Sequence, residues 1–230
     1  MENVTLNFVD LEKIDLFSAL NSDAKREVAA KCYGVKAMSG EEIIGYLDRD
    51  DSVFFVVDGK VRVNMISAGG RQITYQILDT GEMFGELSAI DGLPRSASVV
   101  AETDVVLAKM SAADFLKLAS SDASLVLMAM KRLTSLSRWL AARVFEYHAY
   151  NVKGRVYLEL LRLTEKEPSK ESLIKISDRD MASRVGTTRE NVTRICGDLK
   201  QNGLIQRNHE GITVLDRARL EGMLDECEFS

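Results

Sequence analysis

The chain has 230 residues, 46% apolar and 28% charged, with a net charge of −5 near neutral pH. It is long enough for one large domain or two modest ones, and its acidic balance excludes nucleic-acid binding through bulk basicity, leaving only a local patch. No apolar run approaches the ~20 residues of a membrane helix, and the acidic start "MENVTLNFVDLEKIDLF" lacks a secretory signal's basic-then-apolar pattern, so a cytoplasmic protein without membrane contact is expected. Cys32, Cys196 and Cys227 are far apart and in no C-x-x-C spacing, and only two histidines are present. Free thiols and no metal are the expectation.

Residues 11 to 33 read as short helices, with Ser22 as the N-cap of "DAKREVAAKC". From Val35 to about Met110, short β-rich runs are separated by turn pairs at Ser39-Gly40, Asp58-Gly59, Gly69-Gly70, Thr80-Gly81 and Asp91-Gly92. "SVFFVVDGKVRVNMI" reads as a hairpin about Asp58-Gly59. Strands this short and this numerous predict an antiparallel sandwich, jelly roll or barrel.

Within that β region, "GEMFGELSAIDGLPRSASV" sets a Gly-Glu pair ten residues before an Arg-Ser pair, in a run suited to a strand edge. Gly85 lets a ligand approach the backbone, and the N–H groups of Glu86 and Leu87 can act as anion donors. Arg95 offers a planar fork for a phosphate, and Ser96 adds a hydroxyl. Glu86 suits a ribose hydroxyl. A solvated loop in which Glu86 and Arg95 pair is the alternative.

"SAADFLKLASSD" opens with Ser111 and Asp114 in capping-box-like spacing. From Asp122 to about Tyr150, Val126, Ala129, Leu133, Leu136, Leu140, Val144 and Tyr147 recur at three and four residues, close to a heptad seam. About 27 residues at ~1.5 Å each make a rod of roughly 40 Å. Homodimerisation through this helix is expected, against the alternative of a helix packed on its own sheet. Asn151 to Gly154 breaks the pattern and marks a domain boundary. A helix ("RVYLELLRLTE"), a loop with Pro168, a short strand ("SLIKI"), two helices, a hairpin and a polar, partly helical tail (217 to 230) follow.

"SDRDMASRVGTTRENVTRICGDLKQNGLI" has the build of a helix-turn-helix, with Ser177 capping the first helix, Gly186 at the turn and Thr188 capping the second. On a helical wheel Val192, Ile195, Cys196 and Leu199 share one face, and Arg189, Glu190, Thr193, Arg194 and Gly197 the other. The first turns of such a helix reach base edges in the major groove, where Arg pairs with guanine and Glu accepts from cytosine. The alternative is a surface helix with one Glu190–Arg194 ion pair. "LIQRNHEGITVL" reads as a two-stranded wing turning near Glu210-Gly211. Residues 177 to 216 carry six basic and six acidic residues, so attraction to phosphate is patch-like and salt-sensitive.

Together these motifs resemble the cyclic AMP receptor protein (catabolite activator) family of bacterial transcription regulators, over nearly the whole chain. "FGELSAIDGLPRSASV" is similar to the phosphate-binding cassette of cyclic-nucleotide-binding domains, and its spacing is closer still to that of protein-kinase regulatory subunits. "GTTRENVTRI" is similar to the family's recognition helix. The resemblance implies an α+β fold: a β-roll or jelly-roll cyclic-nucleotide-binding domain (1 to 122), a long dimerisation helix (123 to 150) and a winged helix-turn-helix domain (151 to 230). It implies that Gly85, Glu86 and Leu87 hold ribose and phosphate, with Arg95, Ser96 and Ala97 at the phosphate. It further implies that Arg189, Glu190 and Arg194 read a TGTGA-like half-site beside Thr188 and Asn191 at the phosphates. The effector implied is cyclic AMP, with cyclic GMP open and no metal. The partners implied are a second copy, double-stranded DNA and RNA polymerase, with no catalytic activity. Carried without a gap, the family's Thr-Ser adenine pair falls on Leu140 and Ala141, with Thr134, Ser135 and Ser137 one to two turns away and Arg138 or Trp139 as other base contacts. The alternatives are a nucleotide-independent, cyclic-GMP or other-effector regulator, and a nucleotide-sensing module that controls a partner protein.

Overall fold

In the computed structural model the described residues are 2–6, 8–18, 20–66, 72–165 and 173–228. The Gly69-Gly70 turn, Pro168 and the last two residues of the tail lie outside them. The chain folds as two compact units, Met1–Ser135 and Leu136–Ser230.

The first unit begins with β1 (Glu2–Val4), α1 (Phe8–Leu11) and α2 (Ser22–Ala29), then β2 (Tyr33–Ala37), β3 (Glu42–Ile44), β4 (Val53–Asp58), β5 (Val61–Ile66), β6 (Gln72–Leu78) and β7 (Met83–Phe84). It continues with α3 (Glu86–Asp91), β8 (Ser98–Ala101), β9 (Val105–Met110) and α4 (Ala112–Ser121). The described strands form two antiparallel sheets, in the orders β1-β2-β9-β4-β7 and β3-β8-β5-β6. Two antiparallel sheets fall within the sandwich, jelly-roll or barrel class that the turn spacing predicts, with one strand the sequence reading missed: β1 pairs with β2.

The expected hairpin about Asp58-Gly59 is not formed. β4 pairs with β9 and β7, whereas β5 pairs with β6 and β8 in the other sheet. The physical reason is that "VFFVV" does not alternate. Val53, Phe55 and Val57 face a core shared with Phe17, Val28, Met110 and Phe115. Phe54 and Val56 face a second core with Val61, Leu78 and Leu107. A strand buried on both faces belongs mid-sheet, and the chain uses residues 58–60 as a corner between sheets. The Lys60 carbonyl accepts from the Glu102 N–H at 2.9 Å, and the Lys60 N–H donates to the Thr103 hydroxyl at 3.0 Å.

Helix starts follow local capping. Asn21, not Ser22, caps α2, its side chain accepting from the Ala24 N–H at 2.9 Å. The helix begins one residue earlier than expected, and both residue types cap well. Ser111 caps α4 as expected, accepting from the Asp114 N–H at 3.1 Å and donating to the Asp114 carboxylate at 2.7 Å.

The long helix α5 (Ala123–Ala149) spans the expected residues. In its first part Leu125 is buried in the core beneath α4 while Val126, Leu127 and Met130 are exposed. In its last part Leu140, Val144 and Phe145 are exposed.

The second unit contains the end of α5, then α6 (Val152–Glu165), α7 (Asp178–Val185), α8 (Arg189–Gln201), β10 (Ile205–Arg207), β11 (Ile212–Val214) and α9 (Arg217–Gly222). α6 starts directly after Asn151, whose side chain accepts from the Gly154 N–H at 3.1 Å. Of the expected strand "SLIKI", Ser172 lies outside the described residues, and among the rest a bridge from Ile174 to Ile212 is formed. Val156, Leu160, Met181, Val192, Ile195, Leu199 and Leu204 build one core.

Candidate functional site

The cassette begins where β7 meets β4. Phe84 pairs with Phe54 across the strands, and their rings stack 5.1 Å apart. This packing fixes the backbone just before Gly85, which is left-handed with φ +82°. A Cβ there would stand 2.6 Å from Arg95 Nη1 and 2.8 Å from the Ser52 carbonyl, so the cradle admits only glycine. The next six residues form α3, ended by the left-handed Gly92, where the sequence reading saw a strand edge or a loop. Glycines at both ends, with Glu, Leu and Ala between, are the signal that could have shown it.

Arg95 is 2% exposed. Its Nη1 donates to the Gly85 carbonyl at 2.8 Å, and its Nη2 to the Ser52 carbonyl at 2.7 Å and the Asp50 carboxylate at 3.0 Å. Its Nε is buried and, among the described residues, has no partner. Asp50 also takes Lys109 Nζ at 2.9 Å. Burial pushes the Asp50 carboxyl up, but hydrogen bonds from Lys109 and Ser52 outweigh it and hold the group at about 2. Burial pushes the Arg95 guanidinium down, against the Asp50 charge.

Glu86 is 6% exposed and, among the described residues, forms no ion pair with Arg95. The paired loop is therefore not what forms. Burial pushes its carboxyl up, opposed by its own backbone N–H and by the Arg132 and Arg95 charges. The Leu87 N–H lies in the first turn of α3, where no intrahelical acceptor exists. The Leu87 side chain and Ser96 are exposed, and Ala97 is buried. Thus Gly85, Glu86, Leu87 and Arg95 meet around one cradle. Ser137, Leu140 and Ala141 are exposed positions of α5 within the second unit.

Two cassette partners escaped the sequence reading. Asp50 sits in the run Asp48-Arg49-Asp50-Asp51, which reads as a solvated loop. Arg132, on α5, bonds Glu82 at 3.2 Å, and only the length of that helix hints at its reach.

In the second unit Ser177 caps α7, and Thr188 caps α8 by accepting from the Asn191 N–H at 3.4 Å. Gly186 is left-handed at φ +64°, where a Cβ would meet the Tyr147 hydroxyl at 2.7 Å. Val192, Ile195, Cys196 and Leu199 are buried, while Arg189, Glu190, Thr193 and Arg194 are exposed, the division the helical wheel predicts. Among the described residues neither Arg189 nor Arg194 has an ion-pair partner, so the surface-pair alternative is absent. The carboxyl of Glu190 is held low by its own backbone N–H and the Thr188 hydroxyl. The Asn191 side chain donates to Thr187 at 3.1 Å. Asp178 accepts from Thr193 at 2.6 Å and pairs with Arg207, joining α7, α8 and the wing. A cleft of about 520 Å³ opens beside them, lined by Lys175, Arg179, Arg189, Arg207, His209 and Glu210. Arg179 and His209 were not singled out from sequence, because isolated basic residues carry no motif.

The cysteines are unpaired, with Cys32 pushed up to about 12 and Cys196 to about 11, each chiefly by burial. Such thiols are inert. Among the described residues no group of three or more His, Cys, Asp or Glu converges, and no helix is long and apolar enough to cross a membrane.

Residues 35–122 match the cyclic nucleotide-binding domain model, and residues 154–223 the Crp-like helix-turn-helix domain model. The cyclic AMP receptor protein of Thermus thermophilus is 31% identical over 185 residues, covering 79% of this chain and 83% of its own. The anaerobic regulatory protein of Bacillus subtilis is 25% identical over 95% of this chain and 91% of its own. Among solved structures, the c-di-GMP-responsive global regulator CLP of Xanthomonas campestris superposes with a TM-score of 0.75 at 19% identity, covering 85% of this chain and all of its own. A CooA variant from Carboxydothermus hydrogenoformans gives 0.76 at 16% identity, with coverages of 97% and 98%. The two structures share the fold; the domain models and the Thermus relative carry the relationship. The chain belongs to the CRP/FNR family of DNA-binding transcriptional regulators, which are not enzymes.

Proposed function

We propose that the protein is a homodimeric transcription regulator whose affinity for double-stranded DNA is set by cyclic AMP. One observation carries the effector reading: the buried Arg95 Nε, without a partner among the described residues, beside the Gly85 cradle and the buried Glu86. A cyclic phosphate supplies the acceptor that Nε lacks, and its ribose supplies a hydroxyl for Glu86. Ser96 and Ala97 flank the phosphate, and Ser137, Leu140 and Ala141 are the helix positions for the base. The exposed apolar side chains of α5 suit a second copy of the helix, laid along it as a coiled-coil seam. Two copies present two recognition helices to a pseudo-palindromic, TGTGA-like operator in the cytoplasm. Arg189, Glu190 and Arg194 face the bases, and Thr188 and Asn191 the phosphates. RNA polymerase is the partner an activator needs.

Operator binding is measured by gel shift with no nucleotide, cyclic AMP or cyclic GMP, on a duplex recovered by selection from random DNA. Cyclic AMP is expected to raise affinity by about tenfold or more. Equal affinity in all three arms refutes the effector. A second reading has its own support: Arg95 already satisfies Asp50 and two carbonyls. That pinning favours a regulator of the same fold that is nucleotide-independent or answers another effector, as the Xanthomonas relative answers c-di-GMP.

A further inference from the structure

The C-terminus of α7 leaves its last carbonyls without intrahelical donors. Two of them are served from outside the helix-turn-helix. The Arg184 carbonyl accepts from Arg143 Nη2, and the Tyr147 hydroxyl stands 3.5 Å away. The Val185 carbonyl accepts from Arg155 Nε at 3.0 Å. Arg143 and Tyr147 belong to the last turns of α5, and Arg155 to the first turn of α6. Cations at a helix C-terminus also complement its dipole. The guanidiniums of Arg143 and Arg155 lie 5.7 and 4.9 Å from the centre of the Tyr147 ring, which rests against Gly186. The residue after next, Thr188, caps the recognition helix.

Arg143 is itself held in place. Its Nη1 lies 2.8 Å from Glu146 and 3.5 Å from Glu159. Arg162 bridges the same two carboxylates, and Arg184 pairs with Glu159 at 3.2 Å. Glu159 is 5% exposed and Arg143 9%. Three guanidiniums on two carboxylates, with little water, form a rigid lattice, not a set of loose surface pairs.

We propose that Arg143 is a positioning residue for the recognition helix: from the end of α5 it fixes the helix-turn-helix turn through the Arg184 carbonyl. Its two nitrogens do different work, Nη1 anchoring on the acids and Nη2 holding the turn. A displacement of the last turns of α5 therefore reaches the start of α8 without any contact between Arg143 and DNA. The inference concerns the DNA-binding unit alone and is independent of the effector.

Arg143→Gln leaves Glu146 with Arg162, and Glu159 with Arg162 and Arg184, so the acids stay paired. Two measurements on the full-length protein test it. In the absence of DNA, amide exchange over residues 184–192 should quicken about tenfold or more, the worth of a hydrogen bond to a charged donor, with the wing unchanged. Affinity for a duplex recovered by selection should fall about tenfold, while affinity for an unrelated duplex and the salt dependence stay at wild-type values, because no phosphate contact is lost. Arg143→Lys keeps the charge beside Glu146 but cannot span both partners, and should behave like the Gln variant. Unchanged exchange in a folded variant, full rescue by Lys, or a loss on both duplexes with a shallower salt slope would overturn the proposal. Loss of the fold in both variants would make Arg143 a structural strut and overturn it too. Failure to recover any duplex would count against the operator reading, and exchange would then decide this one.

Discussion

Arg95→Leu is expected to destabilise the protein even where no nucleotide is present. The guanidinium donates to the Ser52 and Gly85 carbonyls at 2.7 and 2.8 Å from a site 2% exposed. Removing it leaves two largely buried acceptors unpaired, at about 1–3 kcal/mol each. Asp50 loses little, because Lys109 remains at 2.9 Å and its side chain is 48% exposed. Leucine recovers part of the loss by apolar burial, so the net cost is about 2–4 kcal/mol. For a chain of this size that lowers Tm by roughly 5–15 °C. Scanning calorimetry of the nucleotide-free protein measures it, with the exposed Leu93→Ala on the same loop as a control expected within about 0.5 kcal/mol of wild type. A Tm within about 2 °C of wild type would refute the reasoning. Arg95 would then be a ligand group poised in the site and not also a strut.

Glu86→Gln should raise Tm near neutral pH and lower cyclic AMP affinity in calorimetry. Burial holds the folded carboxyl above its ordinary 4.5, so its contribution is fully present below the unfolded value and is lost as pH rises through the folded one. A lower Tm at neutral pH contradicts this. Asp50 has the opposite sign: held at about 2 against an ordinary 3.8, it stabilises above the unfolded value and ceases to as pH falls through about 2. Asp50→Asn should therefore flatten the acid limb of a Tm–pH curve, and an unaltered limb would show that the Lys109 and Ser52 contacts carry no weight. Arg194→Ala should cost about 1–3 kcal/mol on the selected operator and relax one base position. Arg179, an exposed cation that lines the cleft with Arg189, suits a further phosphate, so Arg179→Ala should weaken all duplexes and reduce the salt slope by about one. Equal behaviour of the two variants in selection and salt titration would reject the division into base and phosphate contacts.

The readable parts of the sequence are those where one periodicity meets one environment. α8 separates Val192, Ile195, Cys196 and Leu199 from its polar face because that helix has one packed side, and α5 keeps three-and-four spacing from Val126 to Tyr147 although Val126, Leu140 and Val144 of that series are exposed in the single chain. β4 defeats the same logic. Its five apolar residues serve two cores at once, and a strand buried on both faces shows no alternation from which to choose a partner. α3 was obscured for a different reason: six residues are too few to show a period, and only the bracketing glycines mark it. Arg95 was recognisable as an arginine in a cassette motif. Its bonds to Asp50 and Ser52 join residues more than forty positions apart, and nothing local in the sequence encodes such a contact.

Arg95 and Glu86 carry opposite charges on one cradle, yet each is pushed toward neutrality by burial and they form no ion pair with each other. A pair selected for stability alone would close, since an unpaired buried carboxylate is costly. Keeping them apart leaves an acceptor and a spare donor, Arg95 Nε, beside a backbone that only glycine permits. Asp50 then acts as an internal counter-anion: it neutralises Arg95 from the solvent side while Lys109 holds it there. On the proposed reading, a phosphate that reaches the buried Nε takes a donor that Asp50 does not use, so binding and internal pairing need not exclude each other. Within the cyclic AMP reading, Asp50→Asn distinguishes the two ways in which the phosphate can use the fork. Cyclic AMP affinity that is unchanged in Asp50→Asn means the phosphate uses Nε alone. Affinity that rises means it competes with Asp50 for the fork, and the apo cassette is self-inhibited.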